Sequence, residues 1–104
     1  MQAGQAMQQY ETQQCQQVLN QLMAHQHSWP FSSPVDPVAL QIPDYFAIIS
    51  LPMDLGTIKS KLNQGLYAHV DDFAWDVRLV WNNARVYNTP NSDIHHMAQN
   101  LSDV

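Results

Sequence analysis

The sequence predicts an all-α fold, an antiparallel four-helix bundle with one unusually long loop between its first and second helices. Three observations predict it. Apolar residues recur at spacings of three and four in four separate stretches. No stretch alternates apolar and polar residues as a half-buried strand would. Five of the six prolines crowd into residues 28–52 and mark that segment as a connection. At 104 residues the chain is enough for one domain with a modest core.

The first helix is placed over about residues 8–26, where Cys15, Val18, Leu19, Leu22 and Met23 form its apolar stripe. Residues 1–7 are rich in glutamine and read as a linker or tail, with the domain at 8–104. The long connection, "SWPFSSPVDPVALQIPDYFAIISLP", is too apolar for a solvated linker. Trp29, Phe31, Val35, Val38, Leu40, Ile42, Tyr45, Phe46, Ile48 and Ile49 all call for burial. Asp36 and Asp44 are placed to cap short helical turns within it, "DYFAII" foremost.

Asp54 caps the second helix, about 54–64, with Leu55, Ile58 and Leu62 inward and Gly65 as its stop. Asp71 or Asp72 caps the third, about 71–87. Its apolar face holds Phe73, Val77, Val80, Trp81 and Ala84, flanked by Leu79 and Val86. Trp75 and Trp81 both read as core. Ser92 or Asp93 caps a last helix with Ile94, Met97, Ala98 and Leu101, which looks cut short at Val104.

In such a bundle the connections after the first and third helices lie at the same end. The long apolar loop therefore meets the short "YNTPNSDI" turn, and a concave, mainly apolar pocket forms between them. Asn88 is its polar group. Taken alone, Asn88 reads as a residue that ends a helix in the left-handed conformation. Over a pocket, its amide suits a small neutral amide ligand, a carbonyl for the Asn NH₂ and a methyl for the apolar wall. Tyr45 adds a hydroxyl, directly or through water.

Composition excludes several other functions. The net charge is −5 and the only cationic side chains are Lys59, Lys61, Arg78 and Arg85, which disfavours phosphate-backbone binding. A basic partner such as a lysine-rich tail is favoured instead. A single cysteine, Cys15, allows no internal disulfide and has no evident nucleophilic partner. No apolar run reaches membrane-spanning length. His25, His27, His69, His95 and His96 read as exposed rather than as a metal site, with no Cys pair to support one. Asp71 and Asp72 are explained by capping. No glycine-rich phosphate loop is present and no cofactor is called for.

"WPFSSPVDPVALQIPDYFAIISLPMDLGTIKSKLNQGLY" followed by "VWNNARVYNTPNSDI" strongly resembles a bromodomain, from about Val18 to the C-terminus. "WPF…PVD" and "PMDLGTIK" look closest to the bromodomain and extra-terminal type. "PVDP…IPDYF" is also similar to the large acetyltransferase coactivators. The resemblance implies a left-handed bundle that reads N-acetyl-lysine on histone or other nuclear protein tails. Asn88 matches the asparagine that binds the acetyl carbonyl, and Tyr45 the tyrosine that reaches it through water. Trp29, Pro30 and Phe31 match the shelf, and Val35, Leu40 and Ile42 the apolar wall. Tyr87 matches the aromatic before the asparagine, and Ile94 an aliphatic gatekeeper. Ala84 stands where some relatives carry cysteine.

The leading expectation is thus a non-catalytic, monomeric acetyl-lysine-reading domain of a larger nuclear protein, linking acetylation to transcription. It would bind neither membrane nor specific nucleic-acid sequences. A second reading is a helical interaction domain whose pocket has lost its ligand, against which the retained Asn88 and Tyr45 argue. A third, an enzyme acting on small amides, lacks an activated nucleophile or base.

Overall fold

Local capping and spacing explain where each helix begins and what it buries. The computed structural model describes residues 8–26, 28–88 and 92–102. The tail at 1–7, His27, the tip of the short turn at 89–91 and Val104 lie outside the described residues, as does the side chain of Leu101. Helix α1 spans Gln9–Ala24, and Glu11 accepts from the Gln8 N–H at 3.0 Å at its start. After a 3-10 turn at Trp29–Phe31 comes a single-turn helix, α2, at Tyr45–Ile48. Helix α3 spans Leu55–Asn63, α4 Val70–Tyr87 and α5 Asp93–Ser102. The four longer helices make the bundle, and α4 packs on all three others.

Asp54 caps α3 as its position predicts, accepting from the Thr57 N–H at 2.8 Å. Gly65 follows the helix with φ of 70°, a left-handed conformation that glycine adopts without a steric penalty. Ser92, not Asp93, caps α5 by accepting from the His95 N–H at 3.2 Å. The expected cap of α4 is corrected. His69 is the N-cap residue, and Asp71 and Asp72 fall inside the first turn, where their charge faces the positive end of the helix.

The core joins Cys15, Leu19 and Leu22 of α1 to Leu55, Ile58 and Leu62 of α3. Phe73, Val80, Trp81 and Ala84 of α4, Ala98 of α5, and Phe31 and Tyr67 from the connections complete it. Val18 sits at the edge of the α1 stripe and is exposed. Trp75 is a second correction, being 63% exposed. At about 100° per residue it lies on the side of α4 opposite Phe73, Val80, Trp81 and Ala84. Val86 is likewise exposed.

One buried polar cluster escaped the sequence reading. Asp76 of α4 accepts from the Tyr67 hydroxyl at 2.6 Å and from Lys61 Nζ at 2.7 Å. It ties α3, the α3–α4 connection and α4 together. The ammonium of Lys61 also sits 4.8 Å from the centre of the Tyr67 ring.

Candidate functional site

The long loop is held in place at both ends before it reaches the cavity. At its start, the Ser28 hydroxyl donates to the Met23 carbonyl at 2.8 Å. At its end, Asn83 Nδ2 on α4 donates to the Leu51 carbonyl at 2.8 Å. Between them Asp36 Oδ1 accepts from the N–H groups of Val38 and Ala39, the turn cap its position predicts. Gln41 adopts a positive φ of 59°, and its neighbours Leu40 and Ile42 both reach the cavity wall.

Loop and α4 enclose a cavity of about 480 Å³. Trp29, Pro30 and Phe31 line one side, and Val35, Leu40 and Ile42 the loop wall. Tyr45, Tyr87, Asn88 and Ile94 complete the predicted set, so all ten candidate residues meet around one space. The cavity is also lined by Ser33, Pro34, Met53, Asp54, Val80 and Ala84, which were not among the candidates. Val80 was legible: Val80, Ala84 and Asn88 stand four residues apart, on one face of α4.

The expected burial of all the loop's apolar residues is corrected. Phe31, Tyr45 and Ile49 are buried, but Trp29 is 69% exposed and Leu40 60%. Trp29 and Leu40 are spent on the wall of an open cavity rather than on a closed core. Val38, Phe46 and Ile48 also face outward. Phe46 borders a second depression of about 190 Å³ with Pro34, Val35, Pro52, Met53, Asp54 and Thr57. Phe31 serves cavity and core together, meeting Trp81 edge-on at 5.4 Å.

Asn88 ends α4 with φ −97° and ψ 141°, extended and not left-handed, which corrects the isolated reading of that residue. Its backbone N–H donates to the Ala84 carbonyl at 3.0 Å and its Nδ2 donates to the same oxygen at 2.9 Å. A carboxamide has two N–H donors and one carbonyl acceptor. One donor is used on the helix; the other and the oxygen remain for the cavity. Asn88's own carbonyl lies 3.4 Å from His95 Nδ1 on α5.

Tyr45 is buried, and burial pushes its hydroxyl above the ordinary tyrosine value, so it stays protonated at neutral pH. Its ring meets Tyr87 edge-on at 4.9 Å. Asp44 does not cap α2 with its side chain as expected. Its carboxylate instead accepts from the Tyr87 hydroxyl at 2.6 Å. Asp54 presents its carboxylate to Thr57 through both backbone and hydroxyl. The wall is thus mainly apolar, with Asn88, Tyr45 and Ser33 as polar groups that reach it. Cys15 lies in the core with its thiol pushed up by burial, away from the reactive thiolate. Among the described residues, no three His, Cys, Asp or Glu side chains group as a metal site. Nor is any described helix long and apolar enough to cross a membrane.

Comparison with known proteins agrees with this geometry. The bromodomain family pattern matches residues 15–100. Transcription factor GTE10 of Arabidopsis thaliana is 53% identical over 89 residues, which cover 86% of this chain and 8% of GTE10. A bromodomain-containing protein of Dictyostelium discoideum is 53% identical over 90 residues, 86% of this chain and 6% of that protein. The chain therefore spans a small part of these relatives. Among solved structures, the second bromodomain of Candida albicans Bdf1, bound to an imidazopyridine, superposes with a TM-score of 0.89 at 43% identity. That match covers 93% of this chain and 94% of the other. The chain, a left-handed bundle of four long helices, belongs to the bromodomain family.

Proposed function

We propose that this domain is a non-catalytic reader of N-acetyl-lysine on histone or other nuclear protein tails, acting in the nucleus to link acetylation to transcription. One observation carries the reading: an apolar cavity of about 480 Å³ whose wall includes the Asn88 carboxamide and the Tyr45 hydroxyl. Relatives named as transcription factors support the nuclear role.

The discrimination follows from solvation. A free lysine carries a compact, strongly hydrated charge. Moving it into an apolar cavity without a paired anion costs several kcal/mol or more. Acetylation removes the charge and adds a carbonyl acceptor. The remaining Asn88 N–H donates to that carbonyl, contributing about 0.5–1.5 kcal/mol net. Tyr45 adds a hydroxyl reached through water. Selectivity comes mostly from rejecting the charged amine, and affinity is weak because the anchoring group is small.

Calorimetric titration with one histone-tail peptide, acetylated and unacetylated, tests the reading. Heat from the acetylated form alone, lost in Asn88→Ala, is the expected result. Equal binding of both forms, or none across a broad acetyl-peptide panel, would overturn it.

A further inference from the structure

The contact between Asp44 and Tyr87 spans 43 residues of sequence and joins α2, inside the long loop, to the last residue of α4. Each partner immediately precedes one of the two groups read as meeting the ligand's acetyl carbonyl. Asp44 precedes Tyr45, and Tyr87 precedes Asn88. We propose that the Asp44–Tyr87 hydrogen bond is a positioning pair that sets the spacing between Tyr45 and Asn88, and through it the affinity for the acylated ligand. The inference rests on the acetyl-lysine reading above.

Three observations support this role. First, the bond is short, 2.6 Å, as expected when a hydroxyl donates to a carboxylate. Second, α2 is a single turn whose own hydrogen bonds run within the loop, such as Ile49 N–H to the Tyr45 carbonyl at 2.8 Å. Such local bonds fix the shape of the turn but not its distance from α4. Third, the Tyr87 ring packs edge-on against Tyr45 at 4.9 Å, so a shift of Tyr87 is passed directly to Tyr45. Asn88 is equally constrained, since two of its donors are held on Ala84. Tyr45 and Asn88 are thereby each one residue away from the same tie. The hydroxyl of Tyr87 is committed to Asp44, and that bond raises its pKa, so it remains a donor at neutral pH.

Asp44 has a competing role to separate. A rim carboxylate also attracts lysines of a basic tail, through a charge effect that salt screens. A capped, uncharged Nε-acetyl-lysine amide removes that contribution.

The experiment is a double-mutant cycle by titration with this uncharged probe, at low and high salt. Tyr87→Phe and Asp44→Ala are each expected to weaken binding by about three- to tenfold. The double variant should be no weaker than either single one. Asp44→Asn, which keeps an acceptor oxygen and drops the charge, should recover most of the affinity. Without any ligand, the Ile49 amide should exchange its hydrogen faster in Tyr87→Phe than in the unaltered protein. Wild-type binding with Tyr87→Phe unaffected overturns this inference alone. So does an additive cycle, or an Asp44→Asn variant as weak as Asp44→Ala. A wild-type domain that binds no acetylated ligand overturns the reading of the site and this inference with it.

Discussion

The side chain of Asn88 turns back on its own helix and donates to the carbonyl of Ala84 at 2.9 Å. Ending a helix and reading a ligand are therefore one arrangement, because the bond to Ala84 orients the amide that faces the cavity. Asn88→Asp tests this. The substitution keeps the size but replaces both N–H donors with oxygen, set against the Ala84 carbonyl and the ligand carbonyl. Binding of an acetylated peptide should fall by at least about tenfold. Urea unfolding should show a loss of at least about 1 kcal/mol, the net worth of the bond to Ala84, because a carboxylate at the C-terminus of α4 also opposes the helix dipole.

Two tryptophans of α4 separate packing from exposure. Trp81 is 3% exposed and holds Phe31, a cavity residue, edge-on. Trp81→Ala should cost about 3–5 kcal/mol and weaken ligand binding as Phe31 loses its support. Trp75→Ala should change stability by no more than about 0.5 kcal/mol and leave binding unchanged. Urea midpoints and peptide titrations of the two variants provide the comparison.

Local signals were legible where a side chain acts on its own backbone. Asp54, Asp36 and Gly65 take the roles their positions predict. The ten residues expected at the cavity converge there because loop and helix lengths bring both segments to one end of the bundle. What stayed hidden depends on partners far along the chain. Asp44 looked like a cap, but a tyrosine 43 residues away claims its carboxylate. Asp76 gave no signal, since Lys61 and Tyr67 meet it only after folding. Trp75 is apolar enough for a core, but its angle on α4 turns it to the outer face. Trp29 and Leu40 line the cavity as the resemblance implies but stay exposed, because the cavity wall is open rather than a closed core.

Gly56 carries a steric demand that its place inside a helix conceals. A Cβ there would lie 2.5 Å from the Ser32 carbonyl oxygen, a backbone atom next to the 3-10 turn. Alanine would normally favour a helix over glycine by about 1 kcal/mol. Here the clash should outweigh that gain, with overpacking costing about 1–3 kcal/mol. Gly56→Ala is therefore expected to lower the urea midpoint. It should also weaken acetyl-peptide binding, because the displaced segment adjoins Trp29, Pro30 and Phe31.

Tyr67 makes stability depend on alkaline pH. Burial, and then the hydrogen bond to Asp76, push its hydroxyl far above the ordinary tyrosine value. Below the unfolded value of about 10, both states keep the proton and the stabilising contact is fully present. Above it, the unfolded chain ionises while the folded protein holds its proton, so the unfolded state binds fewer protons. Stability must then fall with rising pH, by up to about 1.4 kcal/mol per unit, until the folded group itself ionises. Tyr67→Phe removes this contribution. At pH 7 the variant should be less stable by about 1.5–3 kcal/mol, the worth of a hydrogen bond to a carboxylate. Between pH 10 and 11 the difference should shrink by about 1 kcal/mol. Ionisation of Tyr45 and Tyr87 affects both proteins and cancels in the comparison to first order. Urea unfolding of the pair at pH 7, 10 and 11 measures the effect. A difference that stays constant across these values would show that the Tyr67–Asp76 bond does not hold the proton in the folded state.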